Sequence, residues 1–288
     1  MTEQQDPTVS LITVVLNGGE ALSRAFRSVF SQTYRPIDYI VIDGGSVDGS
    51  IDLIKRHQDQ LAYWVSEPDN GISDAFNKGI AAAKGRYIGL LNADDWLSPG
   101  QIEEAVRLLE LSDASFAFGD LLYHAPDGQS LHLIQGDPEY AKKIRRRMPA
   151  LNHPTMLVKR EVFEGVGGFD EEYRIAMDYD WVLRAHLSGH RGAYSKEIAG
   201  HMTLSGTSDR HFIRGLGEVR DIAIRHGQSS IAAWPLFTYR IIKGMAQRVL
   251  SRCVPSALYH LLRSWFNRDY QSVSQDIDRQ AEKNGSHL

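Results

Sequence analysis

Short apolar segments alternate with segments of helical periodicity along the first hundred residues of the chain. Residues 9–16 (VSLITVVL) are β-branched or aliphatic at most positions, which is typical of a strand buried on both faces of a parallel sheet. Residues 20–32 place their apolar side chains on one helical face, and further strands are predicted at 39–42, 61–66 and 87–91. This alternation predicts an α/β doubly wound sheet, mixed and mostly parallel, with helices on its faces.

Polar residues stand where three of these predicted strands end. Asn17 follows the first strand, Asp43 ends the second, and Asp94 and Asp95 follow the fourth. Because doubly wound sheets bind ligands at the carboxyl ends of their strands, we expect these side chains to share one crevice. A carboxylate pair at the end of a buried strand is costly unless a cation meets it. A divalent ion that also holds a phosphate fits this need, and a solvated turn is the alternative.

The same type of pattern continues to about residue 215, where the first predicted domain (residues 1–215) ends. Its further elements are a helix at 101–111, strands at 115–120 and 156–159, helices at 160–164 and 178–188, and a strand at 194–199. A flexible loop is expected from His201 to Ser208, because this stretch is polar and contains Gly206.

Residues 216–288 predict a helical C-terminal extension. Between Ile231 and Arg268 there is no acidic residue but there are six basic ones, interleaved with aromatic and aliphatic side chains. Basic, aromatic-rich amphipathic helices are typical of binding to an anionic membrane surface. A helical pair docked on the core of the domain and a homodimer interface are the alternatives.

Composition narrows the setting of the protein. A formal net charge of -4 argues against general affinity for nucleic acid. The single cysteine, Cys253, excludes an intramolecular disulfide and a cysteine-based zinc site. The first residues are polar, and no apolar run approaches the roughly 20 residues that span a bilayer. We therefore expect a cytoplasmic protein, with peripheral attachment to the inner face of the cell membrane left open.

Five ordered segments resemble the family-2 glycosyltransferases of GT-A fold, and especially bacterial surface-polysaccharide enzymes of the colanic-acid type. They are VSLITVVLN (9–17), VIDGGSVDGS (41–50), SEPDNGISDAFNKGI (66–80), GRYIGLLNADDWLSPG (85–100) and NHPTMLVKREVFEGVGGFDEEYRIAMDYDWVLR (152–184). The resemblance implies a Rossmann-like GT-A sheet. It also implies transfer of a sugar, with inversion, from a nucleotide-sugar donor to a lipid-linked or polysaccharide acceptor. The last seventy residues match no motif of this family.

The resemblance also implies roles for residues of the donor site. Asp95 would bind Mg²⁺ or Mn²⁺ directly, Asp94 would contact the ribose or the metal, and Asp43 would hold the nucleoside. Many relatives have a second acid after Asp43, where this chain has Gly44, so the nucleotide stays open: UDP is favoured, and GDP and dTDP are alternatives. The remaining donor-site candidates are Leu16, Asn17, Glu20, Gly71, Asp74, Asn77 and Lys78. The last three share one helical face and fit equally a role in capping and solvating that helix.

By resemblance, Asp178 is the general base that takes the proton of the acceptor hydroxyl. Relatives often have Glu-Asp at this point, and here Met177 replaces the Glu. Asp180 is the rival for this role, or caps the following helix together with Asp178. The acceptor-side candidates are His153, Asp180, Trp181 and His201. His201 would close over the diphosphate with its loop, although both histidines and Trp181 also fit ordinary structural roles.

Two other functions are compatible with parts of this pattern. A nucleotidyltransferase acting on sugar phosphates also combines an α/β sheet with acidic metal ligands. It requires a basic, glycine-rich loop after the first strand, and the turn at residues 17–20 carries no cation. A catalytically inactive module that binds nucleotides or glycans is the second alternative, and the joint presence of Asp94, Asp95 and Asp178 argues against it. We therefore expect an inverting, metal-dependent glycosyltransferase.

Overall fold

A computed structural model describes residues 9–125, 128–203, 211–253 and 270–271. Its strands are β1 (Val9–Val15), β2 (Ile37–Asp43), β3 (Tyr63–Ser66), β4 (Tyr87–Asn92), β5 (Trp96–Leu97), β6 (Phe116–His124), β7 (Ser130–Ile134), β8 (Leu157–Lys159), β9 (Gly192–Thr203) and β10 (Tyr270–Gln271). Its α-helices are α1 (Gly19–Phe30), α2 (Ser50–His57), α3 (Ile72–Ala82), α4 (Gln101–Leu111), α5 (Tyr140–Lys143), α6 (Arg160–Val166), α7 (Met177–Leu187), α8 (Phe212–Arg225) and α9 (Ser230–Cys253).

The described strands form one sheet with two different halves. Along its main path the strand order is β10-β7-β6-β8-β4-β1-β2-β3, and β9 pairs with both β5 and β6. Strands β4, β1, β2 and β3 are parallel, whereas β8 runs antiparallel to both β4 and β6. The predicted mixed α/β sheet flanked by helices is therefore confirmed.

Apolar side chains on both faces of the sheet explain why β1 is apolar at nearly every position. All seven of its residues are buried. Ile12 belongs to a core cluster with Phe76 of α3, whereas Leu11 belongs to a second cluster with Phe26 of α1. Because successive side chains of a strand point to opposite faces, the two clusters lie on opposite sides of the sheet. The polar residues at the strand ends are thus left at one open edge.

Helix α8 packs against the core of the domain. Its Val219 and Ile222 are buried in the same cluster as Tyr179 of α7. The boundary predicted after residue 215 falls inside this helix. The start of the helical extension is therefore packed into the domain, and its residues beyond 271 lie outside the described residues. Within the described ranges, no helix has the length and hydropathy needed to cross a membrane.

One local prediction differs from the structure. The residues His201 to Thr203, expected to begin a flexible loop, belong to β9, which pairs with β6 as far as His124; residues 204–210 lie outside the described ranges. Helix α2 begins at Ser50, after Gly49. Asp48 acts at its start, since Asp48 Oδ1 accepts hydrogen bonds from the amide and the hydroxyl of Ser50.

Candidate active site

A tight turn at the end of β4 carries the acidic pair. The amide of Asp95 donates to the carbonyl oxygen of Asn92 at 3.2 Å, and Asn92 Nδ2 donates to Asp95 Oδ2 at 3.0 Å. Asp95 is only 1% exposed. Asp95 Oδ1 and Asn92 Oδ1 are buried and have no hydrogen-bond partner in the described part of the chain. A buried acceptor left unpaired costs about 1–3 kcal/mol, so this turn is incomplete without a ligand.

The charge at this turn is only partly balanced. Burial, and then the negative charge of Asp94, raise the pKa of Asp95 well above its usual range. Burial also raises the pKa of Asp94, and the Arg24 guanidinium opposes both shifts. Arg24 Nη2 donates to the carbonyl oxygen of Asp94 at 3.2 Å and to Thr203 Oγ1 at 2.9 Å. Arg24 lies seventy residues away on α1, and no sequence signal connects it with the acidic pair.

The residues of the turn offer the type of oxygen donor that a divalent cation prefers. Among the described residues, no group of three or more His, Cys, Asp or Glu side chains forms a metal cluster. Mg²⁺ sites often use only one or two carboxylates together with substrate phosphates. Asp94, Asp95 and the Asn92 amide oxygen offer oxygen donors of this kind, and two of the oxygens are buried acceptors without a donor.

Asp43, at the end of β2, offers a third unpaired acceptor in the described part of the chain. Its Oδ2 accepts hydrogen bonds from the amides of Gly45 and Ser46, at 3.1 and 3.0 Å, and from Ser66 Oγ at 2.6 Å. Its Oδ1 is buried without a partner among the residues the structure describes. The carboxylate is thus held firmly by one oxygen while the other remains available to an N–H group of a ligand.

The loops after β1 and β2 are joined by Asn17. Its amide donates to Ser46 Oγ at 2.7 Å, and its Oδ1 accepts the amide of Val47 at 2.9 Å. Its φ of 54 lies in the left-handed region, which Asn tolerates better than most residues. Leu16 is 61% exposed, and Glu20 is exposed in the first turn of α1. The three residues therefore lie exposed in the loop after β1 and at the start of α1.

The space beside Gly44 is filled by another carboxylate. A β-carbon at Gly44 would lie 2.3 Å from Asp69 Oδ2. Asp69 Oδ1 accepts the amide of Gly71 at 2.8 Å, which fixes the side chain. The space next to Gly44 is thus occupied by the Asp69 carboxylate, from the loop after β3. This contact was not predictable, because the two positions belong to different loops.

Three donor-site candidates on α3 are engaged with protein partners. Asn77 Nδ2 donates to the carbonyl oxygen of Phe169 at 2.9 Å, and its Oδ1 accepts the amide of Phe169 at 2.7 Å. Lys78 forms an ion pair with Glu67 at 2.8 Å, and Asp74 Oδ2 accepts the amide of Asn70 at 2.9 Å. The Asn77 amide is thus held by the backbone of Phe169 on both sides, which is a structural role, and its contact with the nucleotide stays a prediction. Asp74 and Lys78 instead fix the loop that carries Gly71.

Asp178 lies in the first turn of α7, beside the start of α3. Ser73 Oγ bonds to the carbonyl oxygen of Tyr173 at 3.0 Å and to Met177 Sδ at 3.1 Å. Since α3 follows the loop after β3, α7 begins at the same edge of the sheet as Asp43. Burial, with the charge of Glu218 adding to it, raises the pKa of Asp178 to about 6, although hydrogen bonds from backbone amides oppose the rise. A carboxylate with such a pKa suits general base catalysis near neutral pH.

Asp180 and Trp181 have structural roles in α7. Asp180 is 2% exposed, and its carboxylate accepts Arg184 Nε at 2.8 Å and contacts His226 Nε2 at 3.1 Å. Trp181 is also 2% exposed, and Trp181 Nε1 donates to the carbonyl oxygen of Gly167 at 2.9 Å. The predictions that Asp180 caps the helix or acts on the acceptor, and that Trp181 stacks on a sugar, are therefore contradicted.

The two candidate histidines are fixed near the acidic turn in different ways. His153 Nε2 lies 3.4 Å from Asn92 Nδ2, and burial lowers the pKa of His153 to about 4. His201 belongs to β9 and stacks on Trp96 with ring centroids 5.0 Å apart. It also shares hydrogen bonds of 2.9 Å with Ser98 Oγ and with His124 Nε2. The prediction that His201 moves with a loop is therefore wrong.

The sequence of the chain is similar to those of known proteins. The model of the family described as glycosyl transferase family 2 matches residues 10–167. The chain belongs to this family. As a family-2 glycosyltransferase it is 35% identical over 189 residues to an uncharacterized glycosyltransferase of Mycobacterium tuberculosis (strain ATCC 25618 / H37Rv), a match that covers 63% of this chain and 70% of that protein. It is also 26% identical over 262 residues to the succinoglycan biosynthesis protein ExoO of Rhizobium meliloti (strain 1021), covering 85% and 72% of the two chains.

Solved structures show the same fold. The mannosyltransferase PcManGT of Pyrobaculum calidifontis, solved with GDP-Man and Mn²⁺, superposes with a TM-score of 0.57 at 17% identity over 91% of this chain and 81% of that one. S. aureus TarS, residues 1–349, solved with UDP-GlcNAc, gives a TM-score of 0.57 at 14% identity, covering 78% and 69%. The family-2 glycosyltransferase described here therefore has the GT-A fold that the sequence predicted.

The family match covers only part of this glycosyltransferase's candidate site. Asp43, Asp94 and Asp95 lie within the matched residues 10–167, whereas Asp178 and all of α8 lie beyond them. The donor side of the site thus belongs to the part of the chain that defines the family. The side that carries the candidate base is formed by the part that follows.

Proposed function

We propose that this glycosyltransferase is inverting and metal-dependent, and that it moves a sugar from a nucleotide-sugar to a hydroxyl of a lipid-linked or polysaccharide acceptor in bacterial surface-glycan synthesis. The observation that carries this proposal is a set of three buried acceptors that have no donor among the described residues, which are Asp43 Oδ1, Asn92 Oδ1 and Asp95 Oδ1. They stand at the ends of β2 and β4, the two neighbours of β1. Two such strand ends lie about 10 Å apart, since adjacent strands are about 4.8 Å apart.

A nucleotide-sugar matches this spacing, because a ribose lies between its base and its diphosphate. Asp43 Oδ1 would accept an N–H of the base, with Leu16 and Asn17 at the mouth of the crevice. Asp94, Asp95 and Asn92 would hold Mg²⁺ or Mn²⁺ against the diphosphate. When bound, such an ion neutralises the charge of the departing phosphate oxygens. We favour UDP as the nucleotide, with GDP and dTDP as alternatives, and the neighbours solved with UDP-GlcNAc and with GDP-Man and Mn²⁺ support a donor of this class.

Asp178 would act on the acceptor. Its carboxylate takes the hydroxyl proton while the acceptor oxygen bonds to the anomeric carbon and the bond from that carbon to the diphosphate oxygen breaks. A single displacement of this kind inverts the configuration at the anomeric carbon. The raised pKa of about 6 leaves Asp178 ionised at neutral pH and makes it a stronger base than an exposed aspartate.

The exposed face of α9 supports a place at the membrane. Its large exposed apolar side chains are Ile231, Trp234, Tyr239, Ile242 and Met245, which we call the α9 apolar face. Their spacing of three to five residues places them on one side of the helix. The sequence has no acidic residue from Ile222 to Arg268. We propose that this face lies on an anionic membrane, where a lipid-linked acceptor would be found.

Slow donor hydrolysis tests the proposed activity without knowledge of the acceptor. The protein is incubated with UDP-, GDP- and dTDP-sugars and Mn²⁺, and release of the nucleoside diphosphate is measured. We expect release from one donor class and its loss in Asp95→Ala, whereas Asp113→Ala, at an exposed position away from the site, serves as the control. Nucleotide binding without any release by the unaltered protein would favour the inactive binding module. With an identified acceptor, NMR of the product would show whether the anomeric configuration inverts.

A further inference from the structure

A carboxylate of α8 holds the backbone that leads into α7. Glu218 Oε2 accepts the amides of Ile175 and Ala176 at 2.8 and 2.9 Å, and the amide of Arg174 lies 3.2 Å from the same oxygen. Glu218 Oε1 accepts Arg214 Nε at 3.1 Å. Glu218 is 9% exposed, so these hydrogen bonds lie largely outside solvent. Three consecutive amides are thus bound by one side chain forty residues further along the chain.

Glu218 holds the chain directly before α7 and not the amides inside its first turn. Ala176 is at the N-cap position, where an alanine side chain cannot accept a hydrogen bond. The amide of Tyr179 is accepted by Asp178 of the helix itself. The Glu218 carboxylate binds the amides of the three residues that precede the helix, at the end where a negative charge also interacts favourably with the helix dipole. The position of the first turn of α7 is therefore set by α8.

We infer that Glu218 is a positioning residue for glycosyl transfer, which holds the first turn of α7 so that Asp178 faces the acceptor hydroxyl. Glu218 has this function only if Asp178 is the base, so the inference rests on the proposed function. The hydrogen bond from the amide of Tyr179 to Asp178 Oδ1, at 2.8 Å, lies within α7 itself. It moves with the helix, so it leaves the orientation of Asp178 to whatever fixes the helix start.

The charge of Glu218 should have a measurable effect on the pKa of Asp178. The negative charge of Glu218 adds to burial in raising the pKa of Asp178. The other charged groups near the start of α7 are Arg174, which bonds to the carbonyl oxygen of Asn70, and Arg214, which is paired with Glu218. Asp180, on the same helix, is paired with Arg184 and His226. Removal of the Glu218 charge should therefore lower the pKa of Asp178.

The test uses the full chain with Glu218→Gln, Glu218→Ala and the control Asp221→Asn, which removes an exposed charge from the same helix. Donor KM, kcat and the pH profile of kcat are measured for each. In Glu218→Gln the side-chain oxygen can still accept the amides but the charge is gone. We expect the acid limb of its profile to move to lower pH, because Asp178 then stays ionised at lower pH. In Glu218→Ala we expect kcat to fall about 10- to 100-fold with donor KM little changed, since a misplaced base slows only the chemical step.

An Asp178→Asn variant separates the two levels of the proposal. Loss of activity in Asp178→Asn, with wild-type kcat and acid limb in both Glu218 variants, would overturn the positioning role and leave the proposed base intact. Wild-type activity in Asp178→Asn would overturn both. If Glu218→Ala does not fold, Glu218→Gln carries the test alone, and an acid limb unchanged from that of Asp221→Asn would contradict the inference.

Discussion

At the scale of single residues, the buried charge of Asp95 lowers the stability of the fold, although the proposed function requires it. Its raised pKa means that folding favours the protonated form, so the stability this group contributes is present at low pH and lost as pH rises. We predict that Asp95→Asn raises the Tm of the metal-free protein at pH 7, because it removes a buried charge beside Asp94. A gain of 1 kcal/mol would appear as about 2–4 °C. Calorimetry at pH 7 checks this, with Asp113→Asn as the exposed control, and a lower Tm in Asp95→Asn would contradict the account of this site.

Asp178 yields a prediction about pH. The base works only when ionised, so kcat should fall as pH drops through about 6, the value to which burial raises its pKa. Asp178→Asn should lower kcat about 10²- to 10⁴-fold, the usual contribution of a general base, while nucleotide affinity stays the same. Steady-state kinetics from pH 5 to 8 together with nucleotide titrations check both points. Full activity at pH 5 would assign the base to another group.

Sequence reasoning found the residues of this site that end buried strands, and missed those that reach it from elsewhere. Asp43, Asp94 and Asp95 were predictable because burial on both faces leaves only the strand ends open to a ligand. Arg24 and Glu218 were not, because each contacts its partner across more than forty residues. The partners of Asn77 and Trp181 were missed for a related reason: periodicity places both residues on helices but does not reveal that Phe169 and Gly167 bind their polar atoms.

At the scale of elements, buried apolar runs were the most reliable signal. The helix at 101–111 was predicted with the bounds that the structure shows, and the strands of the parallel half lie within a few residues of their predicted limits. Strand β9 was predicted too short. Its last residues, His201 to Thr203, were predicted to begin a loop, but they form pairs with β6, and His201 also pairs with β5. Pairing between distant strands thus outweighed local composition.

The α9 apolar face gives a prediction at the same scale. The protein should sediment with phosphatidylglycerol vesicles, and Ile231→Glu with Ile242→Glu should reduce binding at least about tenfold, since each buried apolar side chain contributes about 1.5–3 kcal/mol. Leu111→Glu is the matched control, because Leu111 is 73% exposed on α4. If the unaltered protein does not bind vesicles but forms a dimer, and the double variant abolishes that dimer, a second copy covers this face instead.

At the scale of the whole molecule, the packed core extends beyond the family match. Val219 and Ile222 of α8 complete the core around α7, and Glu218 holds the start of that helix. We predict that a chain ending at Gly227 still unfolds cooperatively and hydrolyses the donor, whereas one ending at His211 loses at least about tenfold in kcat because Asp178 is no longer held. Thermal melts and hydrolysis rates of the two chains check this. Equal rates would show that α8 is dispensable.

Asp43 and the turn from Asn92 to Asp95 are proposed to bind a nucleoside diphosphate together with a divalent ion. Thermal shifts with UDP, GDP and dTDP, each with and without Mn²⁺, test this binding in the unaltered protein and in Asp95→Asn. A ligand at a hundredfold excess over its Kd stabilises the folded state by about 2.7 kcal/mol. We predict a shift with one nucleotide that requires Mn²⁺ and is lost in Asp95→Asn. No shift with any nucleotide, or a shift that Asp95→Asn leaves unchanged, would contradict the claim.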